Sequence, residues 1–315
     1  MNNAHIEWAI DALCDKGYQV LSNTPDIIQD NPWAVVYRFK TNQGHVFLKK
    51  VPSKLSLEPK VINILRSEFQ ANVPFIIAES HKHGFLMKDA GIQLQQYFKQ
   101  HFNIDILIQM MQAYTELQIS ATNKTQLFFD LGVPDWRLTK LPTQYRNFIN
   151  QETLLIEDGL NNDDLIKLKN LESKLSDLCI SLAGYKIKDT FGHADFHHRN
   201  ILINPDTGQK TIIDLGEVVI TYPFFSFHNC LHMAKENFSL TDNQYYQLQL
   251  ACFKPWLEFE SQKNLFNILS IVNQCWSIHA VLGEHRLMKS VRKTDFQKLH
   301  RKGRFANKLR YWLNQ

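Results

Sequence analysis

The chain has 315 residues, a formal net charge of +4 and 44% hydrophobic residues, enough for one large domain or two lobes with a sizeable core. So modest a charge gives no whole-molecule drive toward nucleic acid or an anionic membrane surface. Five cysteines, Cys14, Cys179, Cys230, Cys252 and Cys275, lie far apart, form no C-x-x-C pair and leave one over in any disulfide scheme, which points to a reducing compartment and a cytoplasmic protein. The start, Met1-Asn2-Asn3-Ala4-His5-Ile6-Glu7-Trp8, does not read as a secretion signal, and no later stretch is read as approaching the roughly 18 apolar residues of a membrane span.

In chain order, Ile6, Ala9, Ile10 and Leu13 fall at helical spacing and stop before Gly17, predicting a short helix. Strand-like runs follow at 18–21, 33–40 and 45–51, the last two joined by Thr41-Asn42-Gln43-Gly44. A helix is expected over 57–69, then strands at 75–79 and 85–88 around the turn His81-Lys82-His83-Gly84. Past Asp89-Ala90-Gly91 the pattern turns helical: one run from about 92 to 120, and another from 162 to 182 with Leu165, Leu168, Leu171, Leu175 and Leu178 three or four residues apart. A short strand pair at 201–203 and 211–213 interrupts it, joined by Asn204-Pro205-Asp206-Thr207-Gly208. Helices resume, clearest over 242–259 and 263–288. From Arg286 to Arg310 the basic residues Lys289, Arg292, Lys293, Lys298, Arg301, Lys302, Arg304 and Lys308 gather, and they read as a solvated helix face.

The densest polar functionality is His193-Ala194-Asp195-Phe196-His197-His198-Arg199-Asn200, directly before the predicted strand pair. Phosphoryl transfer to a hydroxyl needs one carboxylate to orient that hydroxyl and take its proton. It also needs a carboxylate and an amide oxygen to hold Mg²⁺ against the phosphates. Asp195 and Asn200 are five residues apart, as in the kinase catalytic loop H-R-D-x-x-x-x-N, and Asp214 follows the strand pair where the D-F-G aspartate would stand. A zinc site built from His193, Asp195, His197 and His198 competes with this reading, but it leaves Asn200 and Asp214 unexplained.

This segment resembles the loop of the aminoglycoside phosphotransferase and choline kinase superfamily, H-G-D-x-H-x-x-N followed by I-D-W/L-G. His193, Asp195, His197, Asn200, Ile213, Asp214 and Gly216 match it as they stand. Upstream, Val46-Phe47-Leu48-Lys49 resembles the strand with the phosphate-binding lysine, Glu58 the helix glutamate that pairs with it, and Phe85-Leu86-Met87-Lys88-Asp89-Ala90-Gly91 the adenine-binding hinge. The resemblance implies an α+β, protein-kinase-like two-lobe fold. A small antiparallel-sheet N-lobe with one helix would span 1–88, and a mainly helical C-lobe with the catalytic loop and acceptor pocket 89–315. It also implies ATP and Mg²⁺ as cofactors and a small-molecule hydroxyl as acceptor, with neither membrane nor nucleic acid as partner.

The roles implied are Asp195 as the catalytic carboxylate with His193 bracing its loop, and Asn200 with Asp214 as magnesium ligands. Lys49 would contact the α- and β-phosphates with Glu58 as its ion-pair partner, and the backbone of Met87, Lys88 and Ala90 would meet the adenine. Strand alternation sends Lys49 and Lys50 to opposite faces, and the matching preceding leucine selects Lys49. Departures from the family pattern are Ala194 for glycine, His198-Arg199 for Pro-Gly, and a glycine-free Gln29-Asp30-Asn31-Pro32-Trp33-Ala34 where phosphates would be covered. The run Tyr222-Pro223-Phe224-Phe225-Ser226-Phe227 replaces D-P-x-x-D-L and puts the Ser226 hydroxyl in place of a bracing carboxylate. A nucleotide-binding pseudoenzyme or regulatory module on the same fold is the alternative, and retention of Lys49, Asp195, Asn200 and Asp214 weighs against it. Protein kinase activity is disfavoured by the lack of an A-P-E-like segment after Asp214. With Glu258, Glu260 and Glu284 set among many basic residues, a neutral or anionic acceptor is favoured over a polycationic aminoglycoside.

Overall fold

The computed structural model describes residues 4–297, 299 and 301–315; Met1 to Asn3 and Lys298 of the basic run lie outside the described residues, as does the side chain of Lys293. The chain forms two compact units that interleave in sequence. The first comprises Met1–Gln100, Arg199–Gly216 and Ser290–Asp295, the second His101–His198, Glu217–Lys289 and Phe296–Gln315.

The first unit is built on a five-stranded antiparallel sheet of Asp26–Asn31, Ala34–Thr41, Gly44–Lys50, Ile76–Ser80 and Gly84–Lys88, with the last two exchanged in spatial order. Alternate residues of its inner strands, Phe39, Val46, Leu48 and Leu86, pack with Ala9 and Leu13 of the helix Ala4–Asp15, the period-2 pattern of a half-buried sheet. The helix Glu58–Phe69 buries Val61, Ile62 and Leu65. A second small sheet joins Lys210–Ile212, Ile201–Ile203 and Ile92–Gln93, all antiparallel. Gly91 permits that last pairing: its φ is +112°, and a Cβ there would stand 2.2 Å from the Ile203 carbonyl oxygen.

Two expectations for this unit change. The run 18–21 is not a strand and contributes only a single bridge, Val20 to Thr41. The first strand of the sheet is Asp26–Asn31, an exposed edge whose polar composition carries no alternating signal.

The second unit is mainly helical, around a three-stranded sheet of Thr190–Gly192, Val219–Thr221 and Asp135–Trp136. The expected helix over 92–120 is instead the short strand already named, a helix Leu94–His101 and a helix Ile104–Ala121. Asn103 starts the last by leaving the helical region (φ −143°) and accepting the Asp105 N–H at 2.8 Å. The expected helix over 162–182 breaks at Leu171 into Asn162–Asn170 and Glu172–Ala183, the first opened by a capping box of Asn161 and Asp164.

The helix Gln262–Ser290 corrects the reading that no stretch approaches a membrane span. It is long and apolar enough to cross a bilayer, with mean hydropathy 1.3 over 18 residues. Scattered Asn, Gln, Ser and His break the apolar run, but its aliphatic residues keep the mean high enough for a span. More than half of that window is buried, and Leu265, Ile268, Val272, Cys275, Ile278 and Val281 lie in the core of the second unit. The basic run is also more than a solvated face. Arg301 forks onto the buried carboxylate of Glu284 at 2.5 and 2.6 Å, and Arg304 (3.4 Å) and Lys308 (3.9 Å) approach the same group, tying the C-terminal helix Arg304–Leu313 to the long helix.

Candidate active site

In the first unit, alternation along Gly44–Lys50 settles which lysine turns inward. Lys49 is only 6% exposed, and its Nζ donates to Glu58 Oε1 at 2.9 Å and to Asp214 Oδ1 at 2.7 Å, with Glu58 Oε2 at 2.8 Å. Lys50 lines a different surface. Gly84 holds the Lys49 backbone: a Cβ on it would meet the Lys49 carbonyl oxygen at 2.3 Å, so only glycine lets the neighbouring strand approach. Glu58 sits in the first turn of its helix and also accepts the Leu215 N–H at 3.2 Å. Burial alone would lower the Lys49 pKa, but the charges of Asp214 and Glu58 more than offset this and hold it above its ordinary value, so the ammonium stays charged. Burial pushes the Glu58 carboxyl up, opposed by the Lys49 ammonium and the Leu215 amide.

Asp214 has φ +63°, one of three non-glycine residues with positive φ among those described. Such strain costs on the order of 1 kcal/mol, is best tolerated by Asp and Asn, and clusters at functional sites. Asn200 stands across the strand pair from it: Ile201 opposes Ile212, and the Ile213 N–H donates to the Asn200 carbonyl at 2.9 Å. The hairpin thus places Asn200 and Asp214 at neighbouring backbone positions at its base. An all-oxygen pair without thiolate or imidazole suits a hard cation such as Mg²⁺, which takes one or two protein oxygens and completes its shell with water and phosphate. Asn200 and Asp214 are the residues that could hold it.

The other positions expected to meet nucleotide are partly committed already. The Lys88 N–H donates to the Phe75 carbonyl (3.0 Å) and the Asp89 N–H to that of His45 (3.3 Å), while Met87 pairs with Phe47 in the sheet and Ala90 lies beyond its end. In the glycine-free turn, Asn31 Oδ1 accepts the N–H groups of both Trp33 and Ala34 at 2.9 Å. Amides that a glycine-rich loop would offer to phosphate are here engaged by a side chain.

In the second unit, both Asp195 oxygens have partners: Oδ1 accepts from Asn229 Nδ2 and Oδ2 lies against His197 Nε2, each at 3.2 Å, with the side chain about half exposed. His193 is fully buried, and its Nδ1 accepts the Asp195 N–H at 3.2 Å. The His193 N–H donates to the Tyr114 hydroxyl (2.8 Å), and that hydroxyl donates to Ser226 Oγ (3.0 Å). Burial raises the Tyr114 pKa, so the hydroxyl keeps its proton for Ser226. Tyr114 also stacks on Phe196 at 3.7 Å, and Gln118 Nε2 donates to the carbonyls of Phe191 and Pro223. His198 is buried edge-on against Phe238, and Arg199 is exposed. His193, His197 and His198 therefore have separate packing roles. Among the described residues no group of three or more His, Cys, Asp or Glu gathers as a metal site. Ala194 is not among the described residues with positive φ, which is why its Cβ is accepted in place of glycine.

Sequence reasoning missed Tyr114, Gln118 and Asn229. The first two could have been found as polar groups four residues apart on an otherwise apolar helix face. No pattern in the sequence marks Asn229.

The first unit thus presents a lysine from an antiparallel sheet to one helix glutamate and to a hairpin-mounted aspartate, the arrangement that the resemblance to a kinase-like phosphotransferase leads one to expect. The sequence agrees: residues 34–253, more than two thirds of the chain, match the phosphotransferase enzyme family, and the chain belongs to it. Solved structures share the fold. An ethanolamine kinase of Plasmodium vivax is 14% identical with TM-score 0.59, the match covering 85% of this chain and 82% of that one. A macrolide 2'-phosphotransferase of Brachybacterium faecium is 10% identical with TM-score 0.61, covering 95% and 97%. APH(2")-IIia, solved as a complex with GDP and kanamycin, is 13% identical with TM-score 0.57, covering 96% and 98%. Identities this low speak for the fold alone. No curated protein matches the chain.

Proposed function

We propose that the protein is a nucleoside triphosphate-dependent kinase that moves the γ-phosphoryl of ATP to a hydroxyl of a small molecule, with Mg²⁺ as cofactor. The observation that carries this reading is the Lys49–Glu58–Asp214 cluster with Asn200 beside it on one hairpin, because it gathers the parts that neutralise and orient a polyphosphate. Lys49, held charged, would bind the α- and β-phosphates, and Glu58 would fix its direction. Asn200 and Asp214 would hold Mg²⁺, which would supply neutralisation of phosphate charge. Asp195, aimed by Asn229 and His197, would orient the acceptor hydroxyl and take its proton. The second unit braces that loop through His193, Tyr114 and Ser226.

Relatives of the fold described as ethanolamine kinase and macrolide phosphotransferase support a small-molecule acceptor. The basic setting of the C-terminal helices supports a neutral or anionic one. All five cysteines are free thiols, which supports a reducing, cytoplasmic setting.

The test is phosphate transfer from γ-labelled ATP by purified protein across sugars, amino alcohols and aminoglycosides, with Asp195→Ala as blank. Acceptor-dependent transfer is expected from the wild type, and nucleotide binding by both proteins. Equal transfer by the variant would refute the role of Asp195. Nucleotide binding with no transfer to any acceptor would favour the pseudoenzyme.

A further inference from the structure

Away from the Lys49 cluster, the first unit holds a concavity of about 310 Å³. Its walls are the end of the strand Gly44–Lys50, the start of the helix Glu58–Phe69 and the turn between Ile76–Ser80 and Gly84–Lys88. Lys50, Lys60 and Lys82 line it with His81 and His83, against a single acid, Glu79; the hydroxyls of Ser56 and Ser80 line it too.

None of the three lysines has an ion-pair partner among the described residues, whereas Lys49, Lys169 and Lys235 each have one. The lining is therefore net positive, and a concave positive surface draws in anions. The hollow is at the lower end of small-ligand pockets, large enough for a phosphate with a short organic body and small for a nucleotide. Ammonium groups bind phosphate as point charges, and the Ser80 hydroxyl and imidazole N–H groups add donors, while the Ser56 hydroxyl already donates to the Ser53 carbonyl at 2.6 Å.

We infer that this pocket is a second anion site, distinct from the nucleotide site, that takes a small phosphorylated metabolite. Its position is fixed by the same backbone that serves the Lys49 cluster. Lys50 follows Lys49 on the strand with its side chain on the other face, and Pro59 and Lys60 follow Glu58. The turn that supplies Ser80 to His83 leads into Gly84, whose Cα lies against the Lys49 carbonyl. A ligand held there binds the folded unit and not the unfolded chain, and so raises its melting temperature by mass action.

The test is calorimetric titration of the full chain at 150 mM NaCl with glycerol 3-phosphate, inorganic phosphate and sodium sulfate, on wild type and on a double variant, Lys60→Ala with Lys82→Ala. Both lysines are exposed, so the variant is expected to melt like the wild type without ligand. Glycerol 3-phosphate should bind the wild type at least tenfold more tightly than the double variant, which is about 1.4 kcal/mol, and should raise only the wild type's melting temperature. Tighter binding of glycerol 3-phosphate than of inorganic phosphate supports a metabolite, and equal binding assigns the site to free phosphate. Equal binding of sulfate would mean an adventitious anion only and would overturn the inference. So would equal affinity in wild type and variant, which places the anion elsewhere, or no binding to the wild type. None of these outcomes depends on phosphoryl transfer, so failure here is separable from failure of the kinase reading.

Discussion

Replacing Lys49 by methionine tests the electrostatics of the first unit most directly, because it removes the ammonium that bridges two carboxylates and nearly conserves volume. Glu58 is 2% exposed and would keep just the Leu215 N–H, while the Asp214 side chain is about half exposed and can turn to water. Removing one partner of a buried pair costs about 3–5 kcal/mol, because the charge left behind is desolvated without compensation. For a unit of this size that is a fall in melting temperature on the order of 10 °C. Lys50→Met, on the other face, should change it by no more than about 2 °C.

The pH dependence gives an independent check. In Lys49→Met, burial holds the Glu58 pKa above its unfolded value with no ammonium to oppose it. Stability is then greatest below the ordinary carboxyl range, near 4.5, and is lost as pH rises through the folded value. The deficit against wild type should therefore be large at pH 8 and shrink by pH 5. Differential scanning calorimetry at both pH values reads this out. A Lys49→Met melting temperature within 2 °C of wild type at pH 8, or a deficit equal at both pH values, would refute the reasoning.

Three further outcomes are expected. Tyr114→Phe strands the His193 N–H and the Ser226 hydroxyl in the core, so urea unfolding should show a loss of about 2 kcal/mol or more. Asn229→Ala removes one hydrogen bond to Asp195 Oδ1 and should lower kcat roughly tenfold while leaving nucleotide KM within twofold in steady-state assays. Burial disfavours the charge on Glu284, but Arg301, Lys308 and Arg304 hold its carboxyl below the ordinary value. Its stabilisation is therefore full above about pH 4.5 and is lost as pH falls through the lower folded value. Glu284→Gln should cost about 3 kcal/mol at pH 7 in chemical unfolding, and its gap to wild type should close on acidification below pH 4.5.

The parts of the site legible in the sequence are those set by local spacing. Five residues from Asp195 to Asn200, and a hairpin's length on to Asp214, are distances along the chain, so the pattern survives without knowledge of packing. Strand alternation likewise separated Lys49 from Lys50, and the pairing of Lys49 with Glu58 followed the family resemblance, whereas the contact of Lys49 with Asp214 appears only in the structure. Composition misled where a segment's neighbours decide its state. Asp26–Asn31 is a strand because Ala34–Thr41 pairs with it, not because its polar residues favour one. The break at Asn103 depends on one side chain capping an amide, a competition that helical periodicity does not register.

The sequence by itself determined the family and the inward lysine with its glutamate partner in the first unit. Only the tertiary structure decided that Tyr114 links the Ser226 hydroxyl, a brace already suggested by the sequence, to His193, that Asn229 aims Asp195, and that the basic C-terminal run neutralises a buried glutamate. Those contacts join residues from 17 to 112 positions apart, and depend on which face of a helix is buried. Periodicity fixes a face, but the partner across it is set by packing.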